Sequence, residues 1–301
     1  MHPVRPSRHA KLLLVWIPWH VAAIAALSLG AGFTAVRPRN TTEAGARARR
    51  APLAGVLRES ALLCALYSLW RLGERVHGLA TTHGVDRAIA LWNIERFVHL
   101  PDERVLVDAA LRRPIIAQAA NGYYAIAHAP AMIMLLIWTM WRHRGAYQTV
   151  RNAVTVATGT SLLLHLIAVA PPRLVPSLGF VDVAQRFHQS VYGPVGSGIS
   201  DQMGALPSVH VAWAALVAWG TWCQGRGRWR IVGPAHLILT MVAIVVTANH
   251  WWLDGVVAAV IVWAALDLDR RWRTMVTMRS ARHALSDPVE AAGSEKATAS
   301  R

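Results

Sequence analysis

The apolar residues of this chain fall in long blocks rather than in the short periodic stripes of a soluble protein. A helix needs about 20 apolar residues to cross the hydrocarbon core of a bilayer. The blocks that approach this length cover residues 12–34, 53–72, 119–141, 150–169, 207–223, 231–249 and 252–269. The last two are almost contiguous, and could form one interrupted hairpin. The pattern therefore predicts an all-α, polytopic membrane helical bundle with six or seven transmembrane helices and short interfacial helices.

The stretches between the blocks suggest how the chain is organised. We predict N-terminal transmembrane segments over 1–72, an outer interfacial connection over 73–118, a catalytic membrane core over 119–273 and a disordered cytoplasmic tail over 280–301. Within the outer connection, residues 85–97 are amphipathic and suit the plane of the membrane interface. The first block, 12–34, is longer than the apolar region of a signal peptide and lacks a small-residue cleavage site, so we expect it to be retained. Whether it crosses the membrane stays open.

Composition and charge narrow the class of protein. The chain is 54% hydrophobic and 16% charged, whereas a soluble domain carries about 25% charged residues. The net charge of +15 comes mostly from arginines in short loops and after helices, which an alternating path through the membrane places on one side. Such loops stay cytoplasmic. We therefore expect a multi-pass protein of the inner (plasma) membrane with membrane lipids, not nucleic acid, around it.

Two polar clusters interrupt the apolar blocks, and polar groups in membrane segments need a reason. The first, Pro207-Ser208-Val209-His210, opens a helix, whose N-terminal amides attract anions. Ser208 can add a hydroxyl donor there, and His210 can face the same ligand. In the second cluster His250 and Asp254 are four residues apart, hence on one face if helical. A carboxylate so placed can orient the imidazole as a nucleophile.

A third cluster and a fourth, weaker one accompany them. Arg173 ends the loop Ala170-Pro171-Pro172-Arg173, and its planar guanidinium suits phosphate. Asn121, Tyr124 and His128 have helical spacing, which fits the lining of a polar cavity and structural hydrogen bonding about equally well.

Each cluster also has a simpler structural explanation. Ser208 can merely cap its helix, His250 and Asp254 can form a buried ion pair, and Arg173 can touch lipid headgroups. The adjacent Trp251-Trp252 pair is typical of interface anchors.

These groups could form three kinds of site. His210, His250 and Asp254 could bind zinc. The same residues could carry protons in a transporter. A phosphoryl-transfer site uses every group at once, because Arg173, Ser208 and the helix amides would hold oxyanions while the histidines and Asp254 do the chemistry. That economy favours phosphoryl transfer.

The order of the motifs resembles the type 2 phosphatidic acid phosphatase superfamily. It is most similar to the inositol phosphorylceramide synthase-like branch and its actinobacterial relatives, over about residues 85–270. The matching motifs are Tyr124-x3-His128, Ala170-Pro171-Pro172-Arg173, Pro207-Ser208-Val209-His210 and Asn249-His250-x3-Asp254, with Gly179-Phe180-Val181-Asp182 also typical.

The resemblance implies a role for each matching residue. His250 attacks phosphorus and forms a phosphohistidine, Asp254 holds His250, and His210 protonates the departing alcohol and then activates the acceptor. Arg173 and Ser208 hold the phosphate. Asn121, Tyr124, His128 and Asn249 would line the substrate cavity. No metal and no cofactor is implied. Where the wider superfamily usually carries an arginine, this chain has Ile244, so one phosphate-binding cation is missing.

The expected function is that of a lipid phosphate phosphotransferase or phosphatase whose active site faces the extracytoplasmic side. Its partners would be a lipid phosphate and an alcohol or water acceptor. Transfer of an inositol phosphate or related headgroup is one form of this reaction. A simple polyprenyl or phosphatidate-type phosphatase is the alternative, and a lipid or proton-coupled transporter is the alternative that is not an enzyme. The sequence leaves the lipid, the acceptor and the oligomeric state open.

Overall fold

A computed structural model describes residues 18–36, 44–77, 83–190 and 203–298. Within these ranges the regular structure is helical, apart from one isolated parallel bridge between Val169 and Gly204. The chain divides into two compact units, Met1–Val76 and His77–Arg301. The expected all-α class is therefore confirmed for the described residues.

The first unit contains α1 (Trp19–Val36) and nearly all of α2 (Ala44–His77). The Ser68 hydroxyl, buried on α2, donates a hydrogen bond of 2.8 Å to the carbonyl of Trp19 at the start of α1. Gly32 of α1 lies against Leu57 of α2. These contacts join the two helices into a hairpin. Residues 12–17 of the first apolar block lie outside the described residues.

The second unit contains the remaining helices. In chain order they are α3 (Gly84–Phe97), α4 (Glu103–Leu111), α5 (Pro114–Ile126), α6 (His128–Arg142), α7 (Arg144–His165), α8 (Val183–Arg186), α9 (Val209–Gln224), α10 (Trp229–Val246) and α11 (Trp252–Thr298). Two 3-10 turns, Pro172–Leu174 and Pro176–Leu178, lie between α7 and α8. The helix α3 covers the stretch 85–97 that the sequence marked as amphipathic.

The core of this unit lies where α9 packs against α6, α7, α10 and α11. Leu216 of α9 and Ile244 of α10 are fully buried there. The two helices approach closely at Gly233, where an added Cβ would lie 2.6 Å from the carbonyl oxygen of Val217 and 2.7 Å from Cα of Ala218. The added Cβ would also overlap the Thr221 hydroxyl. Because the other two obstructing atoms belong to the backbone and cannot turn away, only glycine fits this crossing.

A partly buried polar contact also joins α5 to α10. The Tyr123 hydroxyl lies 2.5 Å from Nδ1 of His236 and 3.2 Å from Oγ1 of Thr240. Hydrogen bonds of this kind hold membrane helices together, since hydrocarbon offers no other partner.

Two described helices, α1 and α10, are long and apolar enough to cross a membrane by length and composition. A third span results if α5 and α6, bent by 45° about Ala127, act as one. Large apolar side chains are exposed along the outer faces of α10 and α11, among them Ile231, Ile238, Leu239, Val256, Val260 and Trp263. An apolar surface of this kind is typical of contact with lipid. The full count of six or seven spans stays a prediction.

Two elements differ from the sequence-based expectation. The apolar block 119–141 is not one straight helix, because α5 ends at Ile126 and α6 begins at His128. The helix α11 continues to Thr298, through residues assigned to a disordered tail. This segment is rich in Ala and Glu, which favour helix, so composition alone did not separate the two states. The four-part division of the chain stays a prediction.

Candidate active site

The connection between α10 and α11 carries His250. The backbone amides of Asn249 and His250 both donate to the carbonyl of Ile244, at 3.0 and 3.1 Å, and Ala248 has a positive φ of 55°. The connection is therefore a tight turn rather than a helix. The condition under which His250 and Asp254 would share a helical face is therefore not met. His250 precedes α11, and Asp254 lies in the first turn of that helix.

The two side chains nevertheless meet at the N-terminus of α11. Nδ1 of His250 lies 3.3 Å from Oδ2 of Asp254, and the Trp251 amide donates to the same carboxylate oxygen at 2.9 Å. Asp254 is fully buried and His250 is 6% exposed. A carboxylate at this place satisfies an amide that the helix leaves without a partner.

A second acceptor fixes the imidazole of His250. The carbonyl oxygen of Ala205 lies 2.8 Å from Nδ1, closer than the carboxylate of Asp254. Both partners accept hydrogen bonds, so Nδ1 carries the proton. In the neutral ring Nε2 then holds the free lone pair. Sequence reasoning missed Ala205, because a backbone carbonyl leaves no signature in the sequence.

Ser208 and His210 lie at the start of α9, beside this histidine. The Val211 amide donates to the Ser208 hydroxyl oxygen at 3.4 Å, so Ser208 caps the helix as its simpler explanation required. Its own amide donates to the Asp254 carbonyl at 3.2 Å. The His210 and His250 ring centroids are 5.6 Å apart. Nδ1 of His210 is buried without a hydrogen-bond partner among the residues described.

Arg173 is fixed against the other side of the same connection. Its amide donates to the Ala248 carbonyl and its Nε to Oδ1 of Asn249, both at 2.9 Å. Nη1 lies 3.6 Å from Oδ2 of Asp182. Asn249 in turn donates to the Thr247 hydroxyl at 2.9 Å. The buried side-chain amide of Asn249, the residue before His250, therefore holds the guanidinium of Arg173.

The weaker fourth cluster divides between two places. Tyr124 stacks on His210 with ring centroids 4.3 Å apart, and its ring lies 6.3 Å from that of His250. His128 also contacts His210, at 4.1 Å between centroids. Asn121, three residues before Tyr124 on α5, instead donates from its side-chain amide to the backbone carbonyl and to Oε1 of Gln189, both at 3.4 Å. Tyr124 and His128 thus form an aromatic wall beside the two histidines.

Trp251 has a role that differs from the expectation, and Asp182 has a role that the sequence did not assign. Trp251 is fully buried, donates to the Ala170 carbonyl at 2.9 Å and packs edge-on against Phe180. Its interpretation as an interface anchor was wrong, because the turn before α11 directs it inward. Asp182 caps α8 and faces Arg173, and the only signal for it was the Gly179-Phe180-Val181-Asp182 motif.

In the described parts of the chain, no group of three or more His, Cys, Asp or Glu side chains is arranged to hold a metal ion. His165, the polar residue of an apolar stretch, lies with Nε2 2.9 Å from the Pro207 carbonyl. This bond supports the loop that precedes α9.

Comparison with known proteins adds one finding. The family model described as the PAP2 superfamily matches residues 89–268. The match contains every site residue expected from the sequence, from Asn121 to Asp254. Searches of curated proteins and of solved structures gave no match.

Proposed function

Because the chain belongs to the PAP2 superfamily, we propose that it is a membrane-embedded enzyme that transfers or hydrolyses lipid phosphate through a phosphohistidine on His250. Members of this superfamily are generally phosphatases that act on phosphate esters, and membership implies phosphatase or phosphotransferase activity on lipid phosphates. The observation that carries the proposal is the orientation of His250. Two acceptors at Nδ1 fix the tautomer in which Nε2 is the nucleophile.

In the first step Nε2 of His250 attacks phosphorus. A P–N bond forms, the P–O bond to the departing alcohol breaks, and His210 gives its proton to the leaving oxygen. The imidazole becomes cationic, and the carboxylate of Asp254 beside Nδ1 offsets that charge. In the second step His210 takes a proton from the acceptor, whose oxygen attacks phosphorus. The P–N bond breaks and His250 is restored.

Donors around the reacting phosphorus would stabilise its oxyanions. Arg173 supplies a cation, Ser208 supplies a hydroxyl, and the first amides of α9 lie beside them. Preorganised donors of this kind account for much of the catalysis in phosphoryl transfer. Tyr124 and His128 would line the cavity that receives the lipid headgroup, with Asn121 and Asn249 at its margins.

The acceptor decides between two reactions that share the phosphohistidine. Water gives a lipid phosphate phosphatase, with a polyprenyl or phosphatidate-type substrate as the simplest case. An alcohol gives a transferase, including transfer of an inositol phosphate headgroup between lipids. The motif resemblance to the inositol phosphorylceramide synthase-like branch favours the transferase. A transporter would need polar residues spread along a path, whereas the candidate residues gather around His250.

We place the site at the extracytoplasmic face of the plasma (inner) membrane, in a chain of six or seven spans. The start of α9, the end of α10 and the start of α11 all meet at His250. The opposite ends of α9 and α10 are joined by a connection that holds Arg226 and Arg228, and Arg230 lies in the first turn of α10. Arginine-rich short loops stay cytoplasmic, which supports an outward-facing site.

The test uses purified protein with three donors, namely phosphatidic acid, a polyprenyl monophosphate and phosphatidylinositol, each with and without a long-chain alcohol acceptor. We expect His250→Ala to abolish phosphate release and transfer, while His143→Ala, between α6 and α7, keeps wild-type activity. Radiolabelled donor should leave acid-labile phosphate on the wild type and none on His250→Ala. Equal activity of wild type and His250→Ala would refute the proposal. Loss of activity under chelation would favour a zinc enzyme.

A further inference from the structure

Two carboxyl side chains outside the proposed site are completely buried. Glu95 lies in the last turn of α3, and Glu103 is the first residue of α4. Both are 0% exposed, although the sequence placed Glu95 among the polar residues of an amphipathic stretch. A buried ionised carboxylate is costly unless it is paired, so each of these groups needs a partner.

The two groups partner each other and one arginine. Oε2 of Glu95 and Oε1 of Glu103 are both buried with no donor among the described residues, and the two carboxyls lie close enough to share a proton. Arg96 donates to Oε2 of Glu103 at 3.1 Å. A bond between two carboxyls requires a proton between them. Burial, followed by the bond to Glu103, raises the pKa of Glu95 to about 9. Glu95 held as a neutral acid can donate to Glu103, whose other oxygen faces Arg96.

The remaining oxygen of Glu95 reaches the helix that carries Asp254. Oε1 of Glu95 accepts a hydrogen bond of 2.7 Å from the amide of Leu253, in the first turn of α11. Nearby, the Trp252 indole donates to the Pro101 carbonyl at 2.9 Å. The corner between α3 and α4 thus holds the start of α11 at two consecutive residues. Asp254 is the next residue, and its own carboxylate contacts His250.

We propose that Glu95 and Glu103 form a one-proton carboxyl pair that positions Asp254, and through it His250, by holding the Leu253 amide. This role rests on the proposed function of His250. The pair does not touch the reacting atoms, so Glu95 is a positioning residue. Its neutral state matters because the charged groups that face it are Glu103, Arg96 and Asp254. If the shared proton were lost, the carboxylates of Glu95, Glu103 and Asp254 would repel one another, with one arginine to offset their charge.

Variants at Glu95 separate its hydrogen bonding from its charge. Glutamine keeps an acceptor for the Leu253 amide and a donor for Glu103, so kcat of Glu95→Gln should stay within about threefold of wild type. Alanine removes both, and kcat of Glu95→Ala should fall about 10- to 100-fold with an unchanged KM, since small misplacements of catalytic groups have effects of this size. Asp102→Asn, at the same corner but partly exposed, is the matched control and should retain full activity.

Two further readouts cover two possible difficulties. If Glu95→Ala folds poorly, the pH dependence of kcat still compares wild type with Glu95→Gln. If no substrate is turned over, hydrogen exchange can still be measured. The kcat of wild type should fall above pH about 9 as the shared proton leaves, and Glu95→Gln should lack this alkaline decline. Hydrogen exchange of the segment 247–256 should be faster in Glu95→Ala than in Glu95→Gln or wild type, whether or not the protein is active.

The outcomes distinguish this inference from the proposed function. An inactive wild type, or an active His250→Ala, refutes the function. If wild type is active, the inference alone is overturned by an unimpaired Glu95→Ala, by a raised KM with normal kcat, or by an alkaline decline that persists in Glu95→Gln. Unchanged exchange of 247–256 in Glu95→Ala overturns it in any case.

Discussion

Replacing Asn249 by alanine tests whether the guanidinium of Arg173 must be held in place. Asn249 is 3% exposed, and its Oδ1 accepts from Nε of Arg173, which is itself 6% exposed. The substitution removes this acceptor and leaves a charged N–H group buried beside His250. The guanidinium of Arg173, proposed to bind phosphate, could then turn toward Asp182.

The size of the effect follows from the kind of bond that is lost. A hydrogen bond to a charged group contributes about 1.5–3 kcal/mol. At 1.36 kcal/mol for each factor of ten, kcat/KM for a lipid phosphate should fall roughly 10- to 150-fold. Phosphate release by purified protein measures this change, and thermal unfolding confirms that the variant is folded.

Two controls make the result specific to Arg173. Thr247→Val removes the other partner of Asn249 but keeps its bond to Arg173, so kcat/KM should stay within about threefold of wild type. In a double-mutant cycle, Asn249→Ala should add no further loss to Arg173→Ala. The reasoning is refuted if folded Asn249→Ala stays within threefold of wild type, or if its effect adds fully to that of Arg173→Ala.

Four other features of the structure give further tests. Gly233→Ala should lower the free energy of unfolding by about 1–3 kcal/mol through backbone overlap, whereas Gly159→Ala, with open space around it, should not. Equal thermal midpoints would contradict this. Because the folded protein keeps a proton on Glu95 that the unfolded chain loses above its ordinary pKa of 4.5, stability should fall as pH rises toward about 9. Glu95→Gln should flatten that slope, and parallel slopes would count against a buried proton. Tyr123→Phe should cost about 1 kcal/mol of stability without changing kcat, and a lowered kcat in a stable variant would show that the hydroxyl has another role. Asp254→Asn should keep at least about tenfold more activity than His250→Ala, because the Ala205 carbonyl still fixes the tautomer of His250. Equal activities of the two variants would refute this division of roles.

The helical class, and most of the residues grouped at the proposed site, could be predicted from the sequence for identifiable reasons. Long apolar blocks permit few structures other than helices, since a membrane satisfies no free backbone groups. The Pro207-Ser208 pair indicated the start of α9, because a serine before an apolar run is a helix cap. His250 and Asp254 met despite a wrong local conformation, because residues on either side of a helix N-terminus also lie close together.

The remaining features depend on tertiary contacts that have no local pattern. The bend at Ala127 arises between two helices that read as one apolar block. Trp and Glu are residue types expected at a membrane interface and on a surface, yet Trp251 and Glu95 are both fully buried. Each side chain is buried because a group distant in sequence, the Ala170 carbonyl for Trp251 and the Leu253 amide for Glu95, satisfies one of its polar atoms. The acceptor on Ala205 is a backbone atom, which every residue possesses.

The geometry of the proposed site is set by backbone bonds between its connections more than by the helices. The segment before α9 is tied to the segment that follows α7, where the Ala205 amide donates to the Val169 carbonyl at 3.1 Å. The Arg173 amide bonds the Ala248 carbonyl, and the Ser208 amide bonds the Asp254 carbonyl. Arg173, His250, the acceptors of its Nδ1 and the start of α9 are therefore linked through short covalent and hydrogen-bonded paths. Helices in a bilayer tilt to match its thickness, and such tilts need not separate groups that are joined at one end. His210 and His250, the proposed proton donor and nucleophile, can then keep their relative positions while the lipid-facing surfaces adjust.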